Sequence, residues 1–369
     1  LYYVLCVALS LFVLLGLHLM SRVKTAKLGN QVSALAIAFG IIITLIKKDI
    51  LPVWAIYPGM LFGLLIGFRL AVKVKMIEMP QLVALLNGIG GAASAIVASF
   101  AFLALYNGSD MFGRITSIAA VSVGSVTLAG SLVAAGKLHK IFTQKPVILK
   151  YHQIYTTVLL IIVLLLIVLS VSLTVLPGII YLIALIIASA AFGLIFSIRV
   201  GGADMPITIS LLNSLSGVAA AIAGFAVTDI LLVAIGAIVG ASGLFLTRIM
   251  CKAMNRKLSD ILLGKTALQG INKDVDNKSD EDNLTEMIEE CEEKGEESKV
   301  DVITLLNNSK KVIIVPGYRM ALAQAQHLVK QLAGNLKSKG AEVKYAIHPV
   351  AGRMPGHMDV LLIEAGVPF

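Results

Sequence analysis

Residues 78–96 read EMPQLVALLNGIGGAASAI, and residues 204–222 read DMPITISLLNSLSGVAAAI. Both follow one frame, acid-Met-Pro, Leu-Leu-Asn and Gly-x-Ala-x-Ala-Ile, at a constant offset of 126 residues. Each copy leaves a polar loop and enters an apolar run, so the repeat predicts two membrane helices built alike. Proline suits the first turn of a helix, where its missing N–H costs nothing. An acid just before it faces the positive end of the helix dipole. Glu78 and Asp204 therefore read either as helix caps or as functional carboxylates. Asn87 and Asn213 fall about 10 Å inside their helices at 1.5 Å per residue. A polar side chain at that depth faces the bundle interior. It serves either as glue between helices or as part of a polar lane. The glycines and alanines around both asparagines let helices approach closely, and packing explains them, as it does Gly236, Gly240 and Gly243.

The composition around this repeat sets the class. The chain is 57% hydrophobic and 14% charged, which predicts a polytopic α-helical membrane protein. Nine apolar segments of spanning length, or nearly so, lie at 1–20, 32–46, 53–72, 82–106, 115–135, 154–176, 178–198, 206–227 and 230–250, the second being the shortest. The opening run reads as a first span and not as a cleaved signal, because no basic leader and small-residue cleavage site precede a soluble domain. Connecting segments 21–31, 69–79, 137–153, 199–205 and 248–257 carry fifteen Lys and Arg; the opposite set carries Lys47, Lys48 and Arg114. The positive-inside rule then puts Leu1 outside and everything after residue 250 in the cytoplasm. Residues 1–257 hold five acids, so the formal net charge of +9 is a topology signal and not a nucleic-acid footprint. Cys6, Cys251 and Cys291 have no paired spacing, which supports neither a disulfide framework nor a metal site.

Three regions follow: a membrane domain at 1–257, a linker at 258–300 and a globular tail at 301–369. Residues 271–300 hold twelve acids and four lysines, the composition of a solvated linker. In the tail, Val312–Val315 is a buried-strand run ending at Pro316-Gly317, and a helical pattern runs from Ala321 to Leu336 with Gln324, Gln326, Lys330 and Gln331 on its polar side. Gly340 marks its stop. A second strand is expected at 342–347, a turn-rich loop after it, and a third strand at 360–365. That order begins a doubly wound, Rossmann-like sheet. Its first turn reads G-x-R-x-x-L, with Arg319 where the dinucleotide fingerprint has its second glycine. The arginine can contact phosphate through its guanidinium, or it can block the close backbone approach that the glycine permits. No acid ends the second strand, where His348 stands, which disfavours NAD and leaves NADP open.

VPGYRMALAQAQ at 315–326 and YAIHPVAGRMPGHMDVLLIEA at 345–365, together with the 204–221 element and GASGLFLTRIMCKAMNR at 240–256, resemble the β subunit of the proton-translocating NAD(P) transhydrogenase across essentially the whole chain. The resemblance implies hydride transfer between NADH and NADP coupled to proton movement across a bacterial inner membrane. It also implies a partner α subunit that binds NAD, a dimer of αβ units and a cytoplasmic tail. NADP contacts would map onto Gly317, Tyr318, Arg319, Ala321, His348, Val350, Ala351, Gly352, Arg353 and Met354, and the proton channel onto Asn87, Asp204 and Asn213. No catalytic residue is assigned to this chain. The resemblance further implies that family members continue past Phe369 with more strands and basic loops, and that some carry histidine where Asn87 stands. An amide does not titrate, so a relay is expected to borrow a titratable group from the partner subunit. Two other readings stay open: a truncated, inactive membrane fragment, and a transporter with a nucleotide-sensing tail.

Overall fold

In lipid every backbone N–H and C=O must find its partner inside the protein, and apolar runs of this length answer by becoming helices. The computed structural model describes most of residues 2–258 and 306–367; residues 259–305 and short stretches such as 349–350 and 352–356 lie outside the described residues. The acidic linker therefore falls almost wholly outside them. Among the described residues, nine helices are long and apolar enough to cross a membrane. They are α1 (Tyr2–Met20), α2 (Ala26–Lys47), α3 (Ile56–Lys73), α4 (Met79–Leu105), α5 (Met111–Leu138), α6 (His152–Ser172), α7 (Gly178–Ile198), α8 (Met205–Ala226) and α9 (Ile230–Ala253). This is a polytopic α-helical membrane domain. Helix α2 exceeds its apolar core at 32–46, because Lys27, Asn30 and Gln31 continue the same helix toward its start.

The repeat is visible in the backbone. Helices α4 and α8 begin at Met79 and Met205, offset by the same 126 residues, each with proline in its first turn. Their preceding residues have nearly the same conformation, φ −88° and ψ −6° at Glu78, φ −88° and ψ −4° at Asp204. Neither acid caps its helix through the side chain. The membrane acids that do cap are elsewhere: Asp110 accepts from the Gly113 amide, and Asp229 from those of Leu231 and Leu232. The capping reading of the repeat acids is thereby corrected.

Helix α5 is the axis of the bundle, with 67% of its span buried. Packing is closest between α4 and α5 and between α8 and α9, and glycines set both crossings. A Cβ on Gly124 would lie 2.5 Å from the Gly91 carbonyl oxygen; one on Gly217 would lie 2.8 Å from the Gly240 Cα. Gly91 and Gly217 are equivalent positions of the repeat, so both helix pairs are built around the same contact. By contrast α3 has no buried residue, and a Cβ on Gly59, Gly63 or Gly67 would meet nothing within 4 Å.

Two cations assigned to connecting segments belong to α5 instead, which corrects that part of the loop count. Arg114 lies in its first turn and Lys137 in its last, both buried. Arg114 donates through Nη2 to the Ser170 and Val171 carbonyls, each at 3.0 Å, at the end of α6. Lys137 donates to Ile198 and to Val200 (2.8 Å) at the end of α7. Helix C-termini carry unsatisfied carbonyls and partial negative charge, and cations there are stabilising. Because α6 and α7 run in opposite directions, one helix can secure both by carrying a cation at each end.

The tail runs β1 (Lys311–Ile314), α10 (Tyr318–Ala323), α11 (Gln326–Ser338), β2 (Glu342–Tyr345) and α12 (His357–Glu364). Strands β1 and β2 are parallel, with Lys311 opposite Glu342 and Ile314 opposite Tyr345. Gly340, at φ +90°, ends α11 as expected. The third strand expected at 360–365 is instead helix α12. Met358, Leu361, Leu362 and Ala365 are all buried, a spacing of 3, 4 and 7 that belongs to a helix face; a short apolar run alone does not separate the two. Two helices, α10 ending at Ala323 and α11 starting at Gln326, stand where one was expected, and the buried face differs from the expected one. Gln326, placed on the polar side, is buried with Ala333 and Leu336, while Leu328 and Leu332 are exposed.

Candidate functional site

At the carboxyl edge of the β1–β2 pair, two sequence-distant segments meet. Past β1, Pro316 and Gly317 lead into α10, and past β2 the chain continues through Ala346, whose N–H still bonds the Ile314 carbonyl at 3.0 Å. Ala321 of α10 packs in one small core with Met358 and Leu361 of α12, against which Ile347 and Ala351 also rest. Of the expected nucleotide contacts, Gly317, Tyr318, Arg319, Ala321, His348 and Ala351 are thus gathered at one edge. Gly317, Arg319 and His348 are exposed there, and a Cβ on Gly317 would meet nothing within 4 Å. Val350, Gly352, Arg353 and Met354 lie outside the described residues. In open parallel sheets, ligands bind at the carboxyl ends of the strands. Burial raises the Tyr345 phenol above its usual range on β2.

Within the membrane, Asn87 is buried and its Nδ2 donates to the Ile209 carbonyl of α8 at 3.3 Å. Ile209 is one helical turn before Asn213, so the two asparagines of the repeat come to one level of the bundle. Asn213 is half-buried and Asp204 buried at the start of the same helix. Around them stand residues that the sequence alone did not single out. Ser131 on α5, Ser197 on α7 and Thr208 on α8 have buried hydroxyl oxygens with no partner among the described residues. Farther toward the same face, His152 of α6 bonds the Ile195 carbonyl at 3.0 Å. Arg199 follows α7, and burial lowers its guanidinium below the ordinary value. Lys137 was counted among the cations of the connecting segment 137–153, in which His152 also fell; both are buried, at the end of α5 and the start of α6. Their burial places two titratable side chains in end turns of the bundle helices.

The NAD(P) transhydrogenase beta subunit family matches residues 2–369. The chain belongs to that family. The NAD(P) transhydrogenase subunit beta of Rhodospirillum rubrum is 38% identical over 363 residues, covering 96% of this chain and 75% of that protein. A relative from a named strain of the same organism aligns with the same identity and coverage. The role of the chain is that of the β subunit of a membrane-bound NAD(P) transhydrogenase, a multi-pass membrane protein that handles nicotinamide nucleotide and works with an α subunit.

Lys137 offers a test of the bundle around this site. Its replacement by methionine leaves the Ile198 and Val200 carbonyls without their donor, at a cost of about 1–3 kcal/mol each. Relief from burying an ammonium offsets part of this. The expected result is a thermal midpoint lowered by several degrees in detergent, with the protein still inserted in the membrane.

Proposed function

We propose that the tail binds NADP at the edge where Gly317–Ala321 meets His348–Ala351, and that the bundle moves protons through a lane containing Asn87, Asp204 and Asn213. The single observation that carries the first half is the meeting of those two segments at the carboxyl ends of parallel strands. NADP fits better than NAD because His348, and no carboxylate, follows the second strand. The tail is then a Rossmann-like domain spanning 301–369, tied by the acidic linker at 258–300 to a membrane domain at 1–257. NAD belongs to the α subunit, hydride passes between NADH and NADP, and protons cross a bacterial inner membrane as it does so. The tail faces the cytoplasm, in keeping with the basic connecting segments on that side.

A dimer of αβ units within the lipid bilayer completes the reading. It is supported by α3, whose whole surface is left to other membrane helices or to lipid. The test is titration of NADP and NAD into the purified αβ complex by calorimetry. NADP is expected to bind at least tenfold more tightly than NAD at the β-subunit site; equal affinity there refutes the assignment. Arg319→Gly is expected to tighten NADP several-fold, because a glycine at the fingerprint's second position permits the close backbone approach that a side chain obstructs. If binding stays flat or weakens, Arg319 is a direct phosphate contact.

A further inference from the structure

We infer that the rim of the bundle where α5 begins, α6 ends and α7 begins is a phosphate-binding site, built around the Arg114 guanidinium and the first turn of α7. The ligand class is a phosphate group, carried by a phospholipid headgroup or free in solution.

The first observation is a donor left over. Arg114 is only 8% exposed, and its Nη2 is taken up by the Ser170 and Val171 carbonyls, each at 3.0 Å. Its Nε is buried and has no partner among the described residues. No carboxylate pairs with the guanidinium among them either. Asp110, one turn earlier, is exposed and accepts from the Gly113 amide. A buried charge is costly unless it is paired, and a buried donor without an acceptor adds to that cost. The α6 carbonyls bring partial charge only. The cation still lacks a full counter-charge.

The second observation is what stands beside that donor. The guanidinium lies 5.5 Å from the centroid of the Tyr106 ring. The same ring rests on the start of α7, where a Cβ on Gly178 would come 2.8 Å from the Tyr106 Cγ. A side chain at 178 would push the ring off the cation, so the glycine keeps guanidinium, ring and helix start together. Helix α7 opens behind Pro177 and has no side-chain cap. The Ile180 amide returns to the Pro177 carbonyl at 2.9 Å. Those of Gly178 and Ile179 precede it in the turn, where a helix offers its amides no internal partner. Such a terminus carries partial positive charge and favours anions. A phosphate here accepts from Nε through a charge-assisted bond and from the α7 amides.

The level in the membrane suits a lipid headgroup as the carrier. Three spans begin or end at this rim, which sets it at the boundary of the apolar layer. Just inside it, Val168 on α6 and Ile179 and Ile183 on α7 are exposed, an apolar surface on which acyl chains can lie. A phosphate held above them neutralises Arg114 and ties together the ends of three helices.

The test uses the full chain with its α subunit, purified and stripped of lipid in a neutral detergent. Short-chain phosphatidylglycerol, diacylglycerol with the same chains, and inorganic phosphate are titrated separately. Binding is read as a saturable rise in thermal midpoint and, for the lipids, as bound mass by native mass spectrometry. Arg114→Gln is expected to weaken phosphatidylglycerol at least tenfold. Arg114→Lys, which keeps the charge but loses the Nε donor, is expected to weaken it several-fold, and diacylglycerol is expected not to bind at this site. Arg114-dependent binding of the lipid alone identifies a headgroup as the source; Arg114-dependent binding of inorganic phosphate identifies free phosphate. Failure of both phosphate probes to show Arg114-dependent binding overturns the site, as does diacylglycerol binding as tightly as phosphatidylglycerol. If Arg114→Gln does not assemble, Ile179→Pro decides. Proline is tolerated in a first turn and removes one amide donor, so phosphate-probe affinity is expected to fall several-fold, and unchanged affinity overturns the site.

Discussion

Replacing Gly124 with leucine is expected to abolish assembly of the membrane bundle. A Cβ at Gly124 would lie 2.5 Å from the Gly91 carbonyl oxygen and 3.0 Å from the Ala95 amide nitrogen. Both obstacles are backbone, so no rotamer change relieves them, and the two helices must separate. Small core overpacking costs roughly 1–3 kcal/mol; here the cost exceeds that, because α5 is the helix on which α4, α7 and α8 all pack. In lipid the association of helices rests on close packing and has no hydrophobic force to replace it. The measurement is the yield of protein extractable in a monodisperse form, expected to fall to background.

The repeat supplies the companion result and the control. Gly217→Leu is expected to fail in the same way, since its Cβ would lie 2.8 Å from the Gly240 Cα and 3.0 Å from the Gly236 carbonyl oxygen. Gly63→Leu on α3 is expected to leave the fold of this chain intact, since a Cβ there meets nothing within 4 Å. If Gly124→Leu assembles normally, the α4–α5 crossing is not the contact on which the bundle depends.

These contacts also show where the amino-acid sequence was legible. The nine spans were legible because lipid leaves few ways to satisfy a backbone, and because the equivalence of residues 78–96 and 204–222 is a property of the residues themselves. The glycines announced close packing, but which helix met which depends on partners far away in the chain, such as Gly91 with Gly124 and Gly193 with Val126. Arg114 and Lys137 were misplaced because a charge at the end of an apolar run reads as a loop charge. What places each inside is a neighbouring helix end, and its carbonyls carry no signal in the sequence. The tail failed where local pattern is weakest. VLLIEA satisfies strand and helix alike until packing on Ala321 decides, and no glycine or proline stands between Ala323 and Gln326 to announce two helices in place of one. Of the candidate site, the glycine turn and His348 were singled out from local residues and resemblance. The hydroxyls of Ser131, Ser197 and Thr208 were not, since serine and threonine in a membrane helix ordinarily bond their own backbone.

Asn87→Leu separates the two roles that the sequence left open. If Asn87 is glue, its loss removes one interhelical hydrogen bond, worth about 0.6–1.7 kcal/mol in membrane bundles, and nucleotide-driven proton uptake is unchanged per folded complex. If it belongs to the lane, stability falls by the same small amount while uptake falls at least tenfold. The second outcome is expected, because the carbonyl it bonds lies one turn from Asn213 and beside Thr208, where unpartnered hydroxyls gather. Asn87→His sharpens the comparison. An imidazole donates to the same carbonyl but also titrates, near pH 6.5 when unperturbed. Its protonated form is charged and disfavoured in the bundle, so uptake should be retained above that range and lost as pH falls through it. The asparagine protein has no such group at this position and should show no matching step. A leucine variant that takes up protons at the normal rate makes Asn87 a strut, and moves the lane to the Lys137 and His152 side of α7.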